Sequence, residues 1–165
     1  MSDESQIKPE RFLFVIWEKA RKREAKLLEV ISSHFKVMRK DEVVWKRSCF
    51  TANLAAFYGW KNWFCWWNKA RKCGRGPFLV VEVEDPMPKW ERGRDTSGHD
   101  LVLNVNIQDV KRKLRAVDGH SNHIHASLTR EETAHKLAAI CRLKVRRRFA
   151  RYMQTYGLRM CEGVE

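Results

Sequence analysis

Residues 122–132 read Asn122-His123-Ile124-His125-Ala126-Ser127-Leu128-Thr129-Arg130-Glu131-Glu132, and this stretch decides the fold. Its first half predicts a short strand over 122–126 that carries His125. Thr129 and Glu132 have the spacing of a capping box, which predicts a helix start after the strand. The helix continues with apolar residues at helical spacing, namely Leu137, Ile140, Val145 and Phe149. We therefore expect a strand, a tight turn and a helix, with His125 just ahead of the helix N-terminus.

A histidine in that place is well suited to hold an anion. Unpaired backbone N–H groups and the positive end of the helix dipole face the ligand, and a phosphate fits such a site. The same dipole disfavours the protonated ring, so the imidazole of His125 stays neutral and nucleophilic. The alternative interpretation is an ordinary strand-to-helix turn that contains two histidines, His123 and His125.

The chain is strongly basic. It has 165 residues and a net charge of +13, from 33 Lys and Arg against 20 Asp and Glu. Such a charge attracts the phosphates of nucleotides, RNA, DNA or acidic membrane surfaces without choosing among them, and a merely solvated basic surface is the alternative. The length fits a single domain over 1–165, with a flexible lead at 1–10 and a basic tail at 142–165.

The cysteines and the apolar segments bear on the compartment. No Cys-x-x-Cys pair occurs among the five cysteines, so neither a zinc site nor a disulfide framework is indicated. We therefore expect the cytoplasm or another reducing intracellular compartment. The first residues have no apolar core of a secretory signal. No run approaches the roughly 18 apolar residues of a membrane span.

Apolar periodicity predicts the element order β, α, β, α, α, β, short α, β, α. The expected strands are 12–17, 35–45, 78–84 and 122–126. Ser48 and Asn106 mark two of the helix starts, and 89–100 reads as a surface loop. With a helical pair inserted between strands two and three, this is a βαββαβ pattern. We expect an α/β (α+β) ferredoxin-like sandwich that ends in a long basic helix.

The inserted helical pair is rich in tryptophan. The tryptophans Trp60, Trp63, Trp66 and Trp67 are mixed with basic residues, namely Lys61, Lys69, Arg71 and Lys72. Aromatic and basic side chains together can stack on and hold nucleic-acid bases. The same stripe is also typical of a core or an oligomer interface, and both interpretations stay open.

Several motifs, in this order, resemble those of the nucleoside diphosphate kinase family. The segment 122–127 with the later Glu131 is similar to the family's Asn-x-Ile-His-Gly-Ser signature. The segment 106–111, followed by Arg115, resembles its Asn-Pro-x-Asp-Ser segment and the next arginine. Phe57-Tyr58, leading to Gly76-Pro77 and a Val-rich strand, resembles its Phe-Tyr and Gly-Pro-Val-Val elements. The resemblance covers most of 11–140 and implies a fold of nucleoside diphosphate kinase type.

In that family a histidine takes the terminal phosphoryl group of a nucleoside triphosphate and passes it to a diphosphate, with Mg²⁺ on the phosphates. The resemblance implies that His125 is this nucleophile and that Asn122 contacts the sugar hydroxyl. It implies phosphate contacts from Arg115 and from Arg92 or Arg94. The other implied matches are Thr96 near the phosphates, Tyr58 near the histidine, and Ser127 and Glu131 in support. Most family members are hexamers or tetramers, which implies a homo-oligomer.

The sequence also departs from the family pattern. The family's first-strand lysine falls on Trp17, and Lys19 is the candidate substitute. The acid that orients the histidine falls near His135 or Lys136. The signature Gly and Asp are replaced by Ala126 and Leu128. Losing the lysine removes a phosphate contact, and losing the acid removes the group that fixes the imidazole tautomer, so either change lowers the expected rate.

Three alternatives to a phosphotransferase remain open. The basic charge, the tryptophans and the Arg-rich tail favour a module that binds RNA or another polyanion. The same features fit a subunit of a larger assembly. A metal hydrolase would use His120, His123 and His125 with His99 or Asp100, although no carboxylate here has the spacing of a metal motif.

Overall fold

The computed structural model describes residues 8–59, 64–94 and 98–142. Predictions for 1–7 and 143–165 lie outside these residues, which takes in most of the lead and of the basic tail. The same holds for Trp60, Trp63 and Thr96. Glu10, which the sequence placed in the lead, is the first residue of a strand.

A four-stranded antiparallel sheet forms the centre of the molecule. Its strands, in the order β2-β3-β1-β6, are β1 (Glu10–Ile16), β2 (Lys36–Val43), β3 (Phe78–Asp85) and β6 (Ile124–Ala126). In the central register, Phe14 of β1 lies between Val81 and Ala126. With helices after β1 and before β6, this is the ferredoxin-like βαββαβ arrangement that the sequence predicts.

Successive side chains of β1 point to opposite faces of the sheet and so belong to two separate cores. Phe12, Phe14 and Ile16 pack under α1 (Glu24–Ser32) and α4 (Val105–Asp118). Leu13, Val15 and Trp17 point to the opposite face, under α2 (Phe50–Tyr58), α3 (Phe64–Cys73) and α5 (Arg130–Arg142). Because both faces are covered, the whole run 12–17 is buried. The predicted helical pair is thus confirmed as α2 and α3, on the same face as α5.

The predicted loop at 89–100 is wrong in its first half. β4 (Trp90–Arg94) and β5 (Asp100–Asn104) form an antiparallel hairpin beside the main sheet. Trp90 anchors it, with its ring centroid 6.0 Å from that of Phe12. The rest of β4 is polar because only this one side chain reaches the core, so no apolar alternation indicates the strand.

Two predicted helix starts are also displaced. α2 begins at Phe50, after a short 3-10 turn, and the Ser48 hydroxyl contacts the Cys49 thiol instead of capping the helix. α4 is capped by Asn104, whose Oδ1 accepts a hydrogen bond from the Ile107 N–H at 3.3 Å. Asn106 donates to the buried Asp85 instead, at 3.0 Å.

The helix start after β6 is confirmed. The Thr129 hydroxyl accepts a hydrogen bond from the Glu132 N–H at 3.1 Å, and α5 begins at the next residue, Arg130. Throughout the described ranges, every helix is too short or too polar to span a bilayer. The described cysteines are free thiols, namely Cys49, Cys65, Cys73 and Cys141.

Candidate active site around His125

Strand β6 fixes His125 at the edge of the sheet. His125 lies opposite Val15 of β1, and the Ser127 N–H donates to the Leu13 carbonyl at 2.9 Å. Because neighbouring residues of a strand point to opposite faces, Ile124 and Ala126 join the core under α1 and α4. The imidazole of His125 therefore faces α2, α3 and α5, and only 7% of the residue is exposed.

Aromatic rings form one side of this site. The His125 ring meets Phe57 and Tyr58 edge-on, at centroid distances of 5.2 and 5.1 Å. Tyr58 in turn stacks on Trp66 of α3, with centroids 5.6 Å apart and planes 13° apart. Lys69 Nζ lies 3.8 Å from the Tyr58 ring centroid, a cation–π contact. The rings restrict the imidazole and exclude water from its flank.

Burial sets the charge of the histidine. It lowers the pKa of His125 well below the usual value of 6.5, and nearby cations lower that pKa further. The cations, in order of effect, are Lys111, Lys136, Lys69 and Arg115. The ring is consequently neutral at pH 7, and its surroundings are electropositive. Such a site disfavours a proton on the ring and favours an anion beside it.

Backbone carbonyls hold three of these cations in place. Lys111 Nζ lies 3.4 Å from the Ala126 carbonyl, and Arg115 Nη2 donates to the Ile124 carbonyl at 3.2 Å. Lys136 donates to the Phe57 carbonyl, and burial lowers the pKa of Lys136 to about 8. Burial likewise lowers the pKa of Lys69. The cations come from three helices, α3, α4 and α5, and converge on β6.

A carboxylate also reaches the histidine. Glu132 Oε1 lies 3.4 Å from His125 Nε2, a buried nitrogen that makes no hydrogen bond within the described residues. The other carboxylate oxygen accepts a hydrogen bond from the Leu128 N–H at 2.9 Å, which anchors the side chain. A carboxylate beside Nε2 favours the tautomer with the proton on that nitrogen, and the lone pair then lies on Nδ1.

Three of the residues chosen from the sequence lie with His125. Tyr58 touches its ring, and Arg115 is held at the neighbouring strand residue. Ser127 lies behind the strand, where its hydroxyl accepts a hydrogen bond from the Leu13 N–H at 2.9 Å and bonds Thr133 at 2.7 Å. Asn122 precedes β6, and its carbonyl accepts a hydrogen bond from the Cys73 thiol.

Other chosen residues contact different groups. Lys19 Nζ donates to the Arg71 carbonyl at 2.7 Å. Arg94 pairs with Asp100 at 2.8 Å, and Arg92 is exposed on the same hairpin, whose anchor packs in the core on the other face of the sheet. Glu131 is exposed at the start of α5, so the acid that reaches His125 is its neighbour, Glu132.

The site residues that the sequence analysis did not place beside His125 share a simple spacing. Trp66, Lys69 and Cys73 lie three and four positions apart, on one side of α3. Glu132 and Lys136 lie four apart on α5 and both face the site. The spacing shows that the residues of each helix share one side of that helix. Only the fold shows that both sides face His125.

The histidines expected for a metal hydrolase divide between two places. His123 Nδ1 lies 2.7 Å from Oδ2 of the buried Asp118, and the His120 ring centroid is 4.5 Å from that of His123. His125 lies instead among the cations described above. In the part of the chain that the structure describes, no three His, Cys, Asp or Glu side chains are grouped to hold a metal ion.

No protein-family model and no curated protein matches this sequence. Solved structures do. A nucleoside diphosphate kinase from Aquifex aeolicus aligns with 80% of this chain and 94% of its own, at 18% identity and a TM-score of 0.50. The chain has a nucleoside diphosphate kinase-like fold.

A nucleoside diphosphate kinase family protein from Babesia bovis gives a similar alignment. It covers 79% of this chain and 86% of its own, at 15% identity and a TM-score of 0.49. The likeness to the Aquifex aeolicus structure confirms the fold that the motifs predicted. At such identities the likeness establishes the fold, and any activity has to follow from the residues around His125.

Proposed function

We propose that the chain is a nucleotide-dependent phosphotransferase that moves a terminal phosphoryl group through His125. The observation that carries this proposal is a neutral, buried imidazole with cations on several sides and a carboxylate at Nε2. A nucleophile needs the lone pair, and a transferring phosphate needs positive charge around it. The surroundings of His125 supply both.

The reaction proceeds in two balanced steps. Nδ1 of His125 attacks the terminal phosphorus of a nucleoside triphosphate, and a P–N bond forms as the P–O bond to the leaving diphosphate breaks. The nucleoside diphosphate departs and leaves a phosphohistidine. A terminal phosphate oxygen of a second diphosphate then attacks the same phosphorus, the P–N bond breaks, and the free histidine returns.

The cations supply what the missing first-strand lysine would have given. Lys69, Lys136 and Arg115 lie close enough to His125 to lower its pKa. In this proposal they stabilise the negative charge that grows on the phosphate oxygens during transfer. Direct phosphate contacts from Lys19 or Arg94 require these side chains to leave the Arg71 carbonyl and Asp100. The contacts implied for Asn122, Thr96 and Arg92 are further parts of this proposal.

Magnesium belongs to the substrate in this proposal. Glu132 is engaged with the Leu128 N–H, and the other charged groups that act on His125 among the described residues are cations. These side chains offer few free oxygen ligands for a metal ion. Mg²⁺ would therefore arrive bound to the nucleotide phosphates, and side chains would not cage it. Bound there, the ion neutralises charge on the diphosphate leaving group.

The deciding experiment is labelling with ATP carrying ³²P in its terminal phosphate, in the presence of Mg²⁺. We expect an acid-labile label on the wild type and on His135→Gln, which alters an exposed histidine of α5. His125→Gln should take up none. A wild type without label would contradict the proposal and favour a binding or assembly subunit without catalysis. Size measurement in solution separately tests the homo-oligomer that the resemblance implies.

A further inference from the structure

An open cleft of about 700 Å³ lies along the outer side of α3, away from His125. Its volume falls in the range of about 300–1,000 Å³ that is usual for ligand sites. Three arginines line it, namely Arg47, Arg71 and Arg75, together with Trp67 and Asn68. The cleft is therefore basic and has one large aromatic side chain.

Trp67 is unusual because it is left in solvent. It is 55% exposed, whereas its neighbour Trp66 is half-buried against Tyr58. The Arg75 guanidinium lies 5.3 Å from the Trp67 ring centroid and holds the indole at the cleft. An exposed indole backed by a guanidinium is a platform on which a base can stack.

The charges of the cleft are not cancelled by acids that line it. Arg71 donates to the neutral Asn68 amide at 3.3 Å, and Arg75 lies on the indole. Among the described residues, Glu18 is the one carboxylate that lines the cleft. Its Oε2 accepts hydrogen bonds from the Arg75 and Gly76 N–H groups, both at 2.7 Å.

The turn before β3 is shaped to hold the Glu18 side chain. A Cβ atom at Gly74 or Gly76 would strike the Glu18 side chain, so the two glycines make room for it. The carboxylate thus ties the turn together instead of opposing an anion in the cleft. Its negative charge is stabilised by the backbone N–H groups that point at it.

A second cleft of about 420 Å³ continues the first one. It shares Arg47 and Arg75 with the first cleft and adds Lys46 and Ser48 from the connection between β2 and α2. The two clefts together present several cations and one exposed aromatic ring, which suits a polynucleotide with several phosphates and bases. A lone mononucleotide would not need the extension.

We propose that these two clefts bind a single-stranded nucleic acid. A base stacks on Trp67, and the phosphates on either side contact Arg47, Arg71 and Arg75. Asn68 supplies an amide at the edge of the platform. The site is on the other side of α3 from His125, so binding is independent of phosphoryl transfer.

Fluorescence anisotropy of a labelled 12-nucleotide RNA tests the proposal on the full chain. We expect Trp67→Ala to weaken binding by about 5- to 100-fold, since one stacked base is lost. Trp67→Phe should restore most of the affinity. Met87→Ala, a change at an exposed apolar residue in the connection after β3, should leave the affinity unchanged. Equal affinity of Trp67→Ala and wild type would overturn the stacking role.

The charge contacts need their own control. Arg47→Gln and Arg75→Gln should each weaken binding and reduce the dependence of log K on log salt by about one. Arg112→Gln removes an exposed arginine of α4 on the opposite side of the molecule and serves as the matched control. Arginine variants that bind like this control would overturn the proposed site, because the affinity would then come from overall charge.

Comparing different nucleic acids identifies which kind of strand the clefts bind. A DNA 12-mer of the same sequence distinguishes a need for the 2′-hydroxyl from simple stacking on a single strand. Duplex RNA should bind at least tenfold more weakly than the single strand, because its bases are already stacked, and duplex binding of equal strength would contradict the proposal. His125→Gln should bind RNA as the wild type does, so failure here is distinguishable from failure of the phosphotransferase proposal.

Discussion

Glu132 Oε1 lies 3.4 Å from His125 Nε2, in a contact that joins α5 to β6. Glu132 comes one helical turn before Lys136, near the place where the family resemblance puts the orienting acid. Because residues four apart share one side of a helix, an acid at either position can face the same neighbour. The chain therefore keeps a carboxylate at the histidine, while Lys136 adds a cation one turn further along.

Glu132→Gln tests this contact. The amide can still accept the hydrogen bond of the Leu128 N–H, but it lacks the charge that favours the imidazole tautomer with its proton on Nε2. We expect the rate of His125 phosphorylation to fall by roughly 10²- to 10⁴-fold, as for other orienting acids. The free energy of unfolding should change little. Rates are measured by rapid quench with labelled ATP.

Glu131→Gln is the matched control, since Glu131 is exposed in the same turn. It should phosphorylate at the wild-type rate. If the two variants behave alike, the carboxylate at Nε2 has no orienting role.

The buried histidine should make stability depend on pH. The pKa of His125 is well below 6.5 in the folded chain and close to 6.5 in the unfolded chain. Below pH 6.5 the unfolded state therefore binds a proton that the folded state does not, and the free energy of unfolding falls as the pH drops. Urea denaturation between pH 7.5 and 5 should show this fall in the wild type and a smaller one in His125→Gln.

His135→Gln controls for the loss of any histidine, because His135 is exposed. This variant should keep the wild-type slope. A His125→Gln slope equal to that of the wild type would mean that the imidazole takes up protons normally in the folded state.

Lys136 should act on stability at alkaline pH. Burial lowers its pKa from 10.5 to about 8 in the folded chain. Between those pH values the unfolded state holds the proton and the folded state does not, so the free energy of unfolding rises with pH. Comparing wild type with Lys136→Met by urea denaturation from pH 7.5 to 10 should show a steeper rise in the wild type than in the variant, because the buried Lys69, whose pKa is also lowered, is present in both. Parallel curves would contradict the buried environment of the ammonium.

Ser127 should matter for stability. Its hydroxyl accepts a hydrogen bond from the buried Leu13 N–H, and Ser127→Ala leaves that donor without this partner. We expect a loss of about 1–3 kcal/mol in the free energy of unfolding, the usual effect of an unpaired buried group. Ser121→Ala, at an exposed serine in the turn before β6, should change it by less than about 0.5 kcal/mol. Equal values for the two variants would show that the Ser127 hydroxyl adds nothing.

The sequence predicted the fold well where local pattern decides it. The buried run 12–17 and the Val-rich strand β3 are the two central strands, and both are clear in the sequence because helices cover each face. Strand β4 was missed because Trp90 alone links it to the core. The start of α4 was misplaced because two asparagines lie near it and both donate to the buried Asp85. Asn104 is the one whose side-chain oxygen accepts the Ile107 N–H and caps the helix.

The site was less predictable than the fold. His125 stood out because a strand, a turn and a capped helix are local features. Glu132 and Lys136 meet it only through the packing of α5 on the sheet, which no local pattern reports. Lys19 and Arg94 were chosen by resemblance. Their side chains instead bond to the Arg71 carbonyl and to Asp100, which lie within reach of them in this fold.

Transfer from the phosphorylated protein tests the central claim most directly. The wild type is labelled with [γ-³²P]ATP and Mg²⁺, freed of nucleotide, and mixed with unlabelled GDP. We predict that the label leaves the protein and appears as labelled GTP, and that His125→Gln yields none. A label that stays on the protein, or that also forms and transfers in His125→Gln, would contradict phosphoryl transfer through His125.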